Sequence, residues 1–91
     1  MKHFIYTYSE KTPRNGYTVK TVSIWRIVRN EPRHVITCSD IFVDKDQLVM
    51  DGLEKAKCLP RACFERSEVH NGRIHMTWNL KALGIATVTQ I

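Results

Sequence analysis

Six basic side chains between residues 11 and 33 have the chemistry to contact phosphate groups. They are Lys11, Arg14, Lys20, Arg26, Arg29 and Arg33. Phosphate binding needs several cations on one face, and these residues lie on or beside one predicted strand. Tyr17 and Trp25 are interleaved with them, which suits stacking on bases, although the sheet core is the more usual place for Trp25. The pattern favours a small non-enzymatic nucleic-acid-binding module; an acidic protein surface is the other partner that such cations fit.

A second charged segment has the opposite sign. Residues 40–54 hold five acidic groups against one lysine, whereas the segments on either side are basic. The acids of the predicted helix include Asp46, Asp51 and Glu54. Their ordinary interpretation is helix capping and a solvated face. The alternative is a docking surface, with which a small regulator or inhibitor would occlude a larger protein machine that itself handles nucleic acid.

Four residues with zinc-ligand chemistry lie close together in the second half of the sequence. Cys58, Cys63, His70 and His75 give a C-x4-C-x6-H-x4-H spacing. Zinc needs four such ligands around one point, but a predicted hairpin about 20 Å long would hold His70 far from Cys63. We therefore expect no metal and no cofactor. Together with Cys38, the two cysteines are expected to be reduced, buried thiols.

The same hairpin holds the residue types that a ribonuclease would need. They are Glu68, His70, Arg73 and His75. Imidazoles can act as general acid and base, and a cation beside the scissile phosphate would assist them. Nothing in the sequence orients the imidazoles, and no serine or cysteine nucleophile has an evident base. The sequence therefore predicts no enzyme and no catalytic residue.

The elements that would position these residues follow from hydrophobic periodicity and turn residues. Strands are predicted over residues 3–9, 17–29, 34–39, 62–67, 73–80 and 85–90, with a helix between Asp44 and Pro60. This β-β-β-α-β-β-β order predicts an α+β fold, in which an antiparallel sheet of about five or six strands has one helix packed on one face. A small half-open barrel plugged by the helix is the alternative.

Local signals define the start of the helix. Asp44 is a capping residue, and Gln47 completes a capping box three positions later. Val43 and Leu48 occupy the two positions of a hydrophobic staple. Gly52 weakens the helix by about 1 kcal/mol relative to alanine, so the helix needs a sheet to lie on.

Local irregularities set the register of two strands. The apolar phase shifts within residues 17–29, which indicates either a bulge or two partly covered faces. In the last hairpin, a two-residue Asn-Gly turn would set Glu65 opposite Trp78. A three-residue turn with Gly72 in the left-handed region sets Phe64 opposite Trp78 instead. We expect the three-residue turn because it keeps apolar groups together.

Length and hydropathy limit what the chain can be. Its 91 residues, with a net charge of +5, correspond to one small domain. No apolar run approaches the ~20 residues that span a bilayer, and Thr7 and Ser9 interrupt the apolar stretch that a signal peptide would need. We therefore expect a cytoplasmic protein with no membrane partner. Unless the first and last strands pair, one of them is an exposed edge through which a homodimer would form.

Overall fold

A six-stranded sheet with one α-helix on one face makes up residues 2–91, the part of the chain that the computed structural model describes. The elements are β1 (Lys2–Lys11), β2 (Val19–Val28), β3 (Glu31–Asp40), α1 (Lys45–Lys55), a short 3₁₀ helix (Arg61–Cys63), β4 (Phe64–His70), β5 (Arg73–Leu80) and β6 (Gly84–Gln90). The strand order is β3-β2-β1-β6-β5-β4. The predicted α+β fold and element order are confirmed, and the sheet is open. Within residues 2–91, no helix has the length and hydropathy needed to cross a bilayer.

The first and last strands form the centre of the sheet. β1 pairs with β6 in parallel, with Phe4 beside Val88, and the Ile91 N–H donates to the Tyr6 carbonyl oxygen at 2.9 Å. The other neighbouring strands are antiparallel, so the sheet is mixed rather than purely antiparallel. The exposed edges are therefore β3 and β4. A homodimer through a sheet edge stays a prediction, and it would use one of these two strands.

The helix begins where the sequence predicts. The Asp44 carboxylate accepts a hydrogen bond from the Gln47 N–H at 2.8 Å, as an N-cap does. The Gln47 side chain donates to Asp51 instead of returning to Asp44, so the capping box is only half formed. Lys20 Nζ donates to the Val43 carbonyl oxygen at 2.9 Å, and this contact ties the approach to the helix to β2. From there α1 packs across β2 and β3.

Gly52 allows the helix to lie close to the sheet. A β-carbon at this position would lie 3.1 Å from Ile24 Cδ1 and 3.4 Å from Cys38 Sγ. Gly52 is buried in the contact between α1 and the sheet. At this point α1 lies so close to the side chains of β2 and β3 that a larger side chain would have to displace them. Its low helix propensity is therefore offset by the packing that it permits.

Gly52→Val is expected to lower the free energy of unfolding by about 1–3 kcal/mol, because a branched side chain cannot enter this contact without displacing its neighbours. Gly52→Ala is the control. Its gain in helix propensity, about 1 kcal/mol, opposes a contact in which Ile24 must give way slightly. Urea denaturation of both variants measures the difference. A valine variant as stable as the alanine variant would contradict the close approach of helix and sheet.

The β4–β5 hairpin has the predicted pairing but not the predicted turn. Phe64 lies opposite Trp78, and their ring centroids are 5.0 Å apart in an edge-to-face contact. The turn has two residues, Asn71 and Gly72, with φ of 52° and 76°. A bulge at Glu65 shifts the register back, which restores the apolar pair. The prediction of a three-residue turn is wrong because this bulge corrects the register within the strand.

The two faces of the sheet differ in what covers them. The helix side holds the buried core, formed by Phe4, Tyr6, Val22, Ile24, Leu48, Val49, Leu53, Leu59, Met76, Trp78, Leu80, Ala86 and Val88. The opposite face, termed the open face, carries the alternate residues of each strand. Trp25 and Ile27 lie there, so the expected place of Trp25 in the core is wrong. The phase shift in β2 reflects two partly covered faces, and the neighbouring bulge lies in β3 at Val35.

Candidate nucleic-acid interface

Three arginines gather at the turn between β2 and β3. Arg26 and Arg33 lie directly opposite each other in the β2–β3 register, and Arg29 is the first residue of the two-residue turn. All three residues are exposed. We call Arg26, Arg29 and Arg33 the basic tip. Half of the predicted phosphate contacts thus lie at one end of one hairpin.

The turn holds an arginine in an unfavourable backbone conformation. Arg29 and Asn30 have φ of 53° and 64°, as a type I′ turn requires. Asparagine and glycine adopt this left-handed region readily, whereas other residues lose about 1–2 kcal/mol there. Arg29 is therefore not the residue that hairpin stability alone would favour.

No carboxylate forms an ion pair with the basic tip in the described part of the chain. The ion pairs among residues 2–91 involve Arg61, Arg66 and His70. Glu31, the nearest acid in sequence, lies opposite Val28 on the same face of the sheet as Arg33, but it forms no ion pair with the tip. Like charges directly opposite on neighbouring strands destabilise the sheet. The tip therefore concentrates three positive charges whose mutual repulsion a bound anion would relieve.

The other three predicted phosphate contacts lie at the far end of β2. Lys20 and Arg26 are on the same strand and about 20 Å apart along it. Lys11 ends β1 beside the start of β2, and Arg14 follows in the loop. The Lys20 ammonium is already bonded to the Val43 carbonyl oxygen. The six cations therefore form two separate groups, of which the basic tip is the compact one.

The acidic helix residues have partners within the fold. Asp51 and Glu54 both form ion pairs with Arg61 of the 3₁₀ helix, and Asp51 also accepts a hydrogen bond from Gln47. Asp46 lies in the first turn of α1, where a carboxylate complements the helix dipole. The three acids of the predicted docking surface thus contribute to the helix and its connection to β4.

A row of side chains crosses the open face over all six strands. From β3 to β4 it consists of His34, Trp25, Ile5, Thr89, His75 and Glu68, each paired in register with the next. The Trp25 indole is half-exposed and meets the His34 ring edge-on, with centroids 5.8 Å apart. An accessible indole on a sheet face offers a stacking surface for a base. We call these six residues the cross-sheet row.

Hydroxyl groups line the open face beside the cross-sheet row. The Ser23 and Thr37 hydroxyls form a hydrogen bond of 3.0 Å between β2 and β3, and the Thr37 hydroxyl is 2.8 Å from a His34 ring nitrogen. On β1, His3 is bonded to Thr87 at 2.9 Å. Such groups can bond to sugar and phosphate oxygens. The sequence carries a signal for this surface, because polar residues alternate with core residues in β1 and β5.

No binding pocket is found among residues 2–91. No protein-family model, curated protein or solved structure matches this chain. We therefore infer its function from the basic tip and the cross-sheet row, which together carry unpaired positive charge, a partly exposed indole and imidazoles.

Two histidines of the β4–β5 hairpin are oriented by neighbours on the open face. His70 Nε2 lies 2.8 Å from Glu68 Oε2, and His75 Nδ1 lies 2.8 Å from Thr89 Oγ1. The hydrogen bond from His70 lowers the pKa of the Glu68 carboxyl, and Arg66 lowers it further. The two imidazole centroids are 6.0 Å apart. The expectation that nothing orients these imidazoles is therefore wrong, because the orienting groups come from other positions in the sheet.

The four residues with zinc-ligand chemistry do not converge on one point. Cys58 and Cys63 pack against the core on the helix side, whereas His70 and His75 lie on the open face. Among residues 2–91, no group of three or more histidine, cysteine or acidic side chains has the geometry to hold a metal ion. Cys38, Cys58 and Cys63 are free thiols, half-buried against the core rather than fully buried.

Proposed function

We propose that this protein is a small cytoplasmic module that binds single-stranded nucleic acid through the basic tip and the adjoining part of the open face. The observation that carries the proposal is the direct opposition of Arg26 and Arg33, with Arg29 between them and no ion pair to a carboxylate in residues 2–91. Such a cluster weakens the sheet by repulsion. A polyanion is the ligand that makes this charge favourable, because its phosphates neutralise the cations as counterions are released.

A single strand of nucleic acid that passes around the β3 edge can reach both the arginines on the helix side and the Trp25 indole on the open face. Along β2, Arg26 lies on the helix side and Trp25 on the open face. Along β3, Arg33 and His34 alternate in the same way. In this arrangement phosphates contact the tip while a base stacks on Trp25. Neither contact reads the edge of a base, so we expect little sequence preference.

Quenching of Trp25 fluorescence tests this arrangement directly. Trp25 is half-exposed, whereas Trp78, the other tryptophan, is fully buried. A stacked base should therefore quench Trp25 and leave Trp78 unaffected. We expect quenching when oligothymidylate is added to the parent protein, and none in the matched variant Trp25→Phe. Equal quenching in the two proteins would contradict stacking on the open face.

An acidic protein surface is the second candidate, and the same three arginines support it. In that case the protein acts as a docking regulator or inhibitor of a larger machine. The acidic helix residues favour this candidate less, because Asp51 and Glu54 are engaged by Arg61. The partly exposed Trp25 indole favours nucleic acid, because a stacking surface beside cations suits bases and phosphates together. A partner protein would bind the tip without the quenching by oligonucleotide described above.

A further inference from the structure

We infer that His70 and His75 form a general base and general acid pair that cleaves bound RNA beside its ribose 2′-hydroxyl groups. The inference rests on the proposed binding of single-stranded nucleic acid and adds an activity to it. The observation behind it is the juxtaposition of two separately oriented imidazoles, 6.0 Å apart between ring centroids, on the face that carries Trp25.

The hydrogen bonds assign a role to each imidazole. The Glu68 carboxylate can only accept, so His70 carries its proton on Nε2 and leaves Nδ1 free to accept one. His70 is therefore the general base. As an imidazolium, His75 donates its Nδ1–H to the Thr89 hydroxyl oxygen and carries a second proton on Nε2. In that protonated form His75 is the general acid, and it returns to the neutral imidazole when it gives up the Nε2 proton.

The surroundings supply the remaining requirements of phosphoryl chemistry. Arg73 lies opposite His70 in the β4–β5 register, and it forms no ion pair in the described part of the chain. A cation here would stabilise the charge that develops on the phosphate oxygens. Each ring nitrogen must come within about 2.6–3.2 Å of the oxygen that it serves. Two imidazoles at this separation can flank one phosphate group and meet both oxygens.

The proposed step is an intramolecular transesterification. His70 Nδ1 removes the proton from the 2′-hydroxyl, whose oxygen forms a bond to the adjacent phosphorus. The bond from phosphorus to the 5′-oxygen breaks, and His75 Nε2 gives its proton to that leaving oxygen. The products are a 2′,3′-cyclic phosphate and a 5′-hydroxyl end, and no co-reactant is consumed. DNA has no 2′-hydroxyl, so it binds without being cut.

The cross-sheet row links this activity to the binding site. His75, Thr89, Ile5 and Trp25 occupy four neighbouring strands of one row, which places the imidazole about 14 Å from the indole across the sheet. A strand of RNA that stacks a base on Trp25 and continues across the open face therefore passes the two histidines. The hydroxyls beside the row can contact its sugars.

The test compares an RNA oligonucleotide with its 2′-O-methyl counterpart, which binds but cannot react. We expect the parent to cut the RNA to cyclic-phosphate ends, identified by mass spectrometry. His70→Gln and His75→Gln should each lower the cleavage rate at least ~100-fold, the usual scale of general acid–base catalysis. Both should bind the 2′-O-methyl strand as the parent does. The matched control is His3→Gln, on the same face but bonded to Thr87, and it should cleave at the parent rate.

The outcomes separate this inference from the proposed function. If the parent binds the 2′-O-methyl strand but cuts RNA no faster than buffer, the activity is disproved and the binding function stands. Cleavage that survives in both histidine variants also overturns the assignment, because it then comes from other residues or a contaminant. Cleavage that depends on both histidines supports it. If the parent cleaves RNA in this histidine-dependent way but fails to bind the 2′-O-methyl oligonucleotide, only the proposed binding through the basic tip is contradicted.

Discussion

Replacing Arg26, Arg29 and Arg33 together by glutamate is expected to abolish binding to single-stranded oligonucleotides. Three phosphate contacts become three repulsive charges, so affinity should fall at least ~100-fold at about 50 mM salt. The loss of the contacts should also flatten the salt dependence, by a slope of about 0.7 for each contact with a single strand. Fluorescence anisotropy of a labelled oligonucleotide, titrated at several salt concentrations, measures both effects. The three residues are exposed, so the variant should keep its fold.

A charge-matched variant separates the basic tip from net charge. Glutamate at Lys11, Arg14 and Lys57 changes the total charge by the same amount, on exposed residues away from the tip. We expect this variant to bind much more tightly than the tip variant. Equal losses in the two would contradict the tip as the binding site. They would support a diffuse electrostatic attraction instead.

Reversing the acidic helix residues tests the docking alternative. Lysine at Asp46, Asp51 and Glu54 removes repulsion towards phosphates, so nucleic-acid binding should be unchanged or stronger. If the helix is the docking surface for a protein, this variant should instead lose that partner, and the tip variant should keep it. Asp51 and Glu54 also pair with Arg61, so its thermal stability should be compared with that of the parent.

Trp78→Ala is expected to lower the free energy of unfolding by about 3–5 kcal/mol. Trp78 lies on the helix side of β5, where its side chain is fully buried, and Phe64 packs edge-on against it. Removing the indole leaves a cavity that these neighbours cannot fill. A domain of this size has roughly 5–15 kcal/mol of stability in total, so the variant should unfold at a much lower urea concentration.

The other tryptophan provides the control for this experiment. Trp25 has cross-strand contacts with Ile5 and His34 on the open face, each worth about 0.2–1 kcal/mol. Trp25→Ala should therefore destabilise the protein much less than Trp78→Ala. Near-parental stability of Trp78→Ala, or a larger loss in Trp25→Ala, would contradict the assignment of the two faces.

Features that depend on neighbouring residues could be predicted from the sequence. Asp44 caps the helix because the side chain and the Gln47 N–H are three residues apart. The pairing of Phe64 with Trp78 was also predictable, since apolar residues on adjacent strands favour one register. The length of the turn could not be predicted, because a two-residue turn followed by a bulge in the strand gives the same register as a three-residue turn.

Features that depend on distant residues could not be predicted. The parallel pairing of β1 with β6 joins the two ends of the chain, and no local pattern specifies it. β2 carries apolar residues on both of its faces, Val22 and Ile24 on one and Trp25 and Ile27 on the other. Either set could have faced the helix, so the sequence alone could not place Trp25.

The candidate site shows the same division. Composition and strand position identify the arginines of the basic tip, but the sequence alone could not show that Arg33 lies directly opposite Arg26. The groups that orient the imidazoles were partly hidden as well. Glu68 is near His70 in sequence, whereas Thr89 meets His75 only because β6 pairs with β5.

The most direct test of the proposed function is a titration of the parent protein into a labelled single-stranded oligonucleotide at about 50 mM salt, repeated at increasing salt. We expect saturable binding whose affinity falls steeply with salt, with a slope of about 2 on logarithmic axes if the three tip arginines each contact one phosphate. The slope should be nearly lost in the variant with glutamate at Arg26, Arg29 and Arg33. Absence of binding by the parent to any single-stranded probe under these conditions would contradict the proposed function.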